Sequence, residues 1–88
     1  MVRVDIRASH KRRRDKCEII ANILLIARKG AKKTHIVYKT NLNFKLVSKY
    51  LSLLEAKGLI EKRGRNYTTT EKGEKFLQIY KELKELLS

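Results

Sequence analysis

From about Arg14 to Lys29, Cys17, Ile20, Ile23, Leu24 and Ala27 recur at helical spacing, and Ile19 and Ile26 widen the stripe until almost every side is apolar. Such a helix belongs at the centre of a small fold, and Cys17 is read as one of its packing residues. Gly30 after it suits the C′ position. Upstream, Val2, Val4 and Ile6 alternate with Arg3, Asp5 and Arg7 as in a short strand, and His10 to Arg14 is a basic run. Downstream, Thr34 is the candidate N-cap of a short helix reaching Thr40, with Ile36, Val37 and Tyr38 turned inward. Asn41-Leu42-Asn43 reads as a turn, and Asn43 can cap the next helix, Phe44 to Ala56. In that helix Val47, Tyr50, Leu51 and Leu54 form a seam at spacings of three and four, while Lys45, Ser48, Lys49, Ser52 and Glu55 take the opposite side. After Gly58, Leu59 and Ile60 enter a strand, Gly64-Arg65 makes a turn, and Tyr67 to Thr69 returns as a second strand. Thr70 can cap a last helix whose Phe76, Tyr80, Leu83 and Leu87 recur at four, three and four, with Leu77 and Leu86 broadening the stripe.

The order is therefore helix, short helix, helix, hairpin, helix: mainly α with a small β-hairpin. This is the outline of a winged helix-turn-helix, a helix with one polar face followed by a basic hairpin. Residues 1–13 are expected to form a basic arm or short strand, 14–70 the winged helix-turn-helix, and 71–88 a C-terminal helix that could serve dimerisation. The 88 residues suffice for one domain with one modest core, and no proline or internal repeat disturbs the pattern.

Charge sharpens this outline. The chain has 22 Lys and Arg against 9 Asp and Glu, a formal charge of +13, which favours nucleic acid, an anionic membrane or a very acidic protein as partner. Residues 1–16 carry seven basic and two acidic side chains, 30–66 carry nine and two, and 71–88 carry four of each. The excess thus lies on the arm and the helix-hairpin unit, and the last segment is balanced, which suits one face for a polyanion and another for protein.

Other chemistries find little support. With one cysteine, Cys17, there can be no intrachain disulfide or thiol couple, and the expected compartment is reducing and intracellular. The longest apolar run, Ile19 to Ala27, is interrupted by Asn22 and far shorter than a membrane span, and it reads as a buried helix rather than a signal segment. His10 and His35 are far apart, and Asp5, Asp15, Glu18, Glu55 and Glu61 make no recognisable site. Neither a metal-ligand spacing nor a glycine-rich nucleotide loop is present. The expectation is a binding protein, not an enzyme, with no cofactor, metal or evident small-molecule effector.

The residue types suit a duplex. A helix fits the major groove, where Lys reaches guanine O6 and N7 and Ser can donate or accept at several bases. Lys45, Ser48, Lys49 and Ser52 project together, with Asn43 near the groove wall; Ser48 and Lys49 are the strongest candidates. Lys33, Thr34 and His35 open the shorter helix, whose free amides can hold a phosphate. Lys62, Arg63 and Arg65 would lie over phosphates or in the minor groove, and Lys11, Arg12, Arg13 and Arg14 could do the same from the arm. Two alternatives stay open: docking on structured RNA, for which Phe44 and Tyr67 are weak stacking candidates, and a protein-interaction module.

The stretches Lys33-Thr34 with Ile36 and Tyr38, Asn41-Leu42-Asn43, Tyr50 with Leu53 and Leu54, Gly58 to Ile60, Gly64 with Tyr67, and Thr70 with Lys72-Gly73 carry a family likeness. Over about residues 16–80 the chain resembles the archaeal winged-helix DNA-binding regulators, and among them the small dimeric chromatin-associated proteins of thermoacidophilic archaea. The resemblance implies double-stranded DNA binding as a homodimer, with Phe44 to Ala56 as reader and residues 59–69 as wing. It also implies that the final helix pairs with its twin, through Phe76, Tyr80, Leu83 and Leu87; that seam could instead cover the body of the monomer. A transcriptional regulator occupying a promoter and an architectural chromatin protein with little sequence preference are both compatible with the likeness.

Overall fold

The computed structural model describes residues 15–88. The expectations for the arm, from the Val2, Val4, Ile6 alternation to Lys11, Arg12, Arg13 and Arg14, lie outside those residues. The described elements are α1 (Lys16–Ile26), β1 (Ala31–Lys32), α2 (Lys33–Thr40), α3 (Phe44–Ala56), β2 (Ile60–Arg63), β3 (Asn66–Thr69) and α4 (Glu71–Leu87). Helices and a small hairpin follow one another as the periodicity predicts, in winged helix-turn-helix order.

The centre is α1. Ile23, Leu24 and Ala27 are wholly buried and meet Ile36 of α2, Val47, Leu51 and Leu54 of α3, and Ile60 of β2. Burying each of the large aliphatic side chains contributes about 1.5–3 kcal/mol, so this cluster is the main source of stability. Asp15 caps α1 by accepting from Cys17 N–H. Cys17 itself is exposed, contrary to its reading as a packing residue. It sits in the first turn, before the helix reaches the body, and the buried stripe starts at Ile19. The helix also ends sooner than expected: Ala27 is its C-cap, a turn occupies 27–29, and the left-handed Gly30 (φ 94°) leads out of that turn and not out of the helix.

The sheet holds one strand more than the sequence suggested. β3 lies between β1 and β2, antiparallel to both, with Tyr67 opposite Ala31 on one side and Lys62 on the other. β1 also explains why Thr34 is not an N-cap. The chain passes directly from strand into helix, so α2 starts at Lys33 with Lys32 in the cap position and no side-chain cap bond. Tyr38 points to water, 80% exposed, and not inward. Over eight residues the buried edge is set by Ile36 and Thr40, one turn apart, which leaves Tyr38, midway between them, on the far side.

The hairpin is rooted in the body at its β3 end. The Thr69 hydroxyl donates to Leu24 O at 2.6 Å and Thr69 N–H to Ala27 O at 3.0 Å, tying the strand to the end of α1. Thr70 caps α4 by accepting from Gly73 N–H, and its hydroxyl donates to Gly58 O. At Gly73 the helix presses on the sheet so closely that a Cβ would stand 2.3 Å from Leu59 O, which only glycine avoids.

Candidate nucleic-acid interface

Local chemistry fixes α3 at both ends. Asn43 accepts from Leu46 N–H at 2.7 Å, the cap its position predicts, after Asn41 has turned the chain in a left-handed conformation (φ 61°). The far end closes with paired bonds, Leu59 N–H to Leu54 O and Gly58 N–H to Glu55 O, around a left-handed Gly58 (φ 77°). Lys72 adds a cation there, its Nζ donating to Lys57 O at 2.8 Å. A helix defined this sharply presents the same residues in the same direction.

That direction is set by the buried edge. Val47, Leu51 and Leu54 are at most 1% exposed, with Tyr50 half-buried beside them. Lys45, Lys49 and Ser52 are consequently exposed on the other side, with Ser48 half-buried at the flank. Asn43 is exposed too, with its Oδ1 engaged in the cap. α3 packs against both α2 and β2, the elements that carry the candidate phosphate contacts.

On α2, Thr34 and His35 are exposed and Lys33 is half-buried, its ammonium 5.2 Å from the centre of the Phe44 ring. On the hairpin, Lys62, Arg63 and Arg65 are all exposed. Lys62 lies 5.6 Å over the Tyr67 ring, and Arg63 pairs with Glu61 at 3.0 Å. The Arg63–Glu61 pair is at the surface, where such a pair is weak enough to exchange for a phosphate. Tyr67, expected as a possible stacking platform, is instead buried, because the middle strand turns it onto the core between Ala31 and Lys62.

Two exposed residues are not evident from the sequence. Lys32 stands opposite Asn66 at the side of the hairpin, a placement that depends on β1 and has no signal of its own. Tyr38 is the other, and only its helical offset from Ile36 and Thr40 reveals its direction; Phe44, named as a weak stacking candidate, is exposed as that role requires.

The other end of the molecule differs in kind. Phe76 and Tyr80 of α4 stack at 6.3 Å and are half-buried, whereas Leu83 and Leu87 are exposed together with Ile79 and Leu86. Burial, and after it the nearby carboxylates of Glu18 and Asp15, raise the Tyr80 phenol above its ordinary pKa. Arg28, in the turn after α1, holds Glu74 of α4 through three bonds of 2.9–3.2 Å across a groove floored by Ala21, Leu25 and Leu77.

The chain's relationships agree with this geometry. The winged helix-turn-helix family model matches residues 13–88. An uncharacterized protein of Methanocaldococcus jannaschii is 35% identical over 77 residues, covering 86% of this chain and 79% of that one. Winged helix-turn-helix domains bind and do not catalyse, and among the described residues no group of three or more His, Cys, Asp and Glu could hold a metal ion. No helix among them is long and apolar enough to cross a membrane.

Proposed function

The chain belongs to the winged helix-turn-helix family, and from that premise we propose that it binds double-stranded DNA and regulates transcription by occupying promoters. Family membership supports the DNA-binding role. The observation that carries the assignment to this surface is the division of α3, with Val47, Leu51 and Leu54 sealed inside and Lys45, Lys49 and Ser52 in water. Placed in the major groove, Lys49 and Lys45 reach guanine acceptors, and Ser48, Ser52 and Asn43 supply smaller polar contacts. Lys33, Thr34 and His35 hold one phosphate strand, and Lys62, Arg63 and Arg65 the other side of the groove, with the basic arm adding charge.

The working unit in this reading is a homodimer joined through α4. Its balanced charge and the exposed Leu83 and Leu87, continuing the half-buried Phe76 and Tyr80, support that arrangement. Two reading helices would then sit about one turn of DNA apart, near 34 Å, and match a pseudo-palindrome. The protein would reside in the cytoplasm on the nucleoid.

A charge of +13 favours a second reading, an architectural chromatin protein that coats DNA with little sequence preference. Selection of binding sites from genomic fragments, followed by footprinting, separates the two. One protected inverted repeat supports the regulator, and diffuse protection supports the architectural protein. Absence of duplex binding at low salt refutes both.

A further inference from the structure

Two large aromatic side chains stand in water beside the basic surface, Tyr38 at 80% and Phe44 at 52% exposure. Isolated exposed aromatics are common on protein surfaces and need no partner. Phe44 differs in two ways. It is the first residue of α3, and the N-terminal turn is the part of a groove-bound helix that is aimed at base edges. Its ring is also held from the protein side, with Lys33 Nζ 5.2 Å from the centroid in a cation–π contact that links the start of α2 to the start of α3.

A phenyl ring has neither donor nor acceptor, so it cannot read guanine O6 or N7, adenine N6 or cytosine N4. The apolar group that a base pair shows in the major groove is the thymine C5-methyl, and contact between Phe and that methyl is one of the ways a helix reads sequence. We propose that Phe44 packs against a thymine methyl and makes this protein favour thymine at the position under the start of α3. Lys33 then has two tasks, steadying the ring and bringing a cation to the neighbouring phosphate. The inference rests on the DNA-binding reading above and adds a specificity residue to it.

Uracil tests it without altering the protein, because replacing thymine by uracil removes that methyl alone. The full chain would be titrated by fluorescence anisotropy against duplexes recovered by selection and against the same duplexes with uracil in place of thymine. The expected result is a loss of about three- to fivefold for a single contacted methyl, the worth of one buried methyl group. Phe44→Ala should bind the thymine duplex about as weakly as the unaltered protein binds the uracil duplex, and should no longer distinguish the two. Phe44→Leu, which keeps an apolar side chain, should retain part of the difference, and thermal melting of each variant reports that it is folded. Equal affinity of the unaltered protein for both duplexes overturns the inference and leaves DNA binding standing. So does an undiminished thymine preference in Phe44→Ala. Stronger binding to single strands than to duplex, or no duplex binding, overturns the DNA-binding reading and this inference together.

Discussion

α3 and α4 share a pattern and end in different circumstances. Each has apolar residues at three- and four-residue spacing and a side-chain cap at its start, Asn43 for α3 and Thr70 for α4. In α3 the seam of Val47, Leu51 and Leu54 is taken up by the body, so apart from Phe44 and Leu53 what remains outside is mostly polar and basic. In α4 only Gly73 and Leu77 are buried, Phe76 and Tyr80 are half-buried, and Ile79, Leu83, Leu86 and Leu87 are left in water. The comparison teaches that periodicity fixes which way a helix turns its apolar side but not what will cover it. Charge completes the contrast: residues 71–88 carry four cations and four anions, in a chain whose formal charge is +13. Two copies could approach through that neutral face with little of the repulsion that their other surfaces would generate.

The hardest way to break the contrast is to attack the edge that α3 hides. Leu54→Ala should cost about 4 kcal/mol in urea unfolding, because it empties a fully buried site between α3 and the body. Gly73→Ala should cost about 3 kcal/mol in the same measurement, since a Cβ at that point meets the backbone of Leu59 and cannot relax by a rotamer change. A loss below about 0.5 kcal/mol for Gly73→Ala would show that α4 rides loosely on the sheet.

The outer faces should respond in the opposite sense. Leu83→Glu with Leu87→Glu is expected to leave the melting temperature of dilute protein nearly unchanged and to convert a dimer to a monomer in sedimentation. A monomeric unaltered protein would instead mean that the exposed leucines have no twin. Lys49→Ala should leave unfolding within about 0.5 kcal/mol of the original and weaken DNA binding roughly ten- to a hundredfold, the range for one base-reading contact. The smallest effect belongs to the hairpin. Arg65→Ala should weaken all duplexes alike and lower the slope of log affinity against log salt by about 0.9. A sequence-dependent loss there would move base reading from α3 to the wing.

Much of this was legible in the residues because it rests on local rules. Asn43 and Thr70 announce their helices, Gly58 its exit, and Val47, Leu51 and Leu54 the inner side of α3. The three-stranded sheet was not legible, since Ala31 and Lys32 are too few to show an alternation and become a strand only by pairing with Tyr67 and Asn66. Missing that strand also misplaced the cap of α2 at Thr34. Tyr38 and Cys17 were misjudged for a different reason: apolar character predicts burial only where the body extends far enough to cover the residue, and one lies on the outer side of a two-turn helix, the other at the tip of α1. Of the candidate interface, α3 and the hairpin could be read as sequence, but the cation held over Phe44 depends on how α2 and α3 meet in space.

The bonds from Thr69 to Leu24 and Ala27 give the hairpin an anchor at the middle of the molecule. A pull on Gly64 or Arg65 therefore arrives at α1, the most deeply enclosed helix, and is not lost in a hinge. Grasping a rigid object at the hairpin tip should slow the opening of the amide protons near Ala27, so that engagement at one extremity is felt as stiffness at the centre.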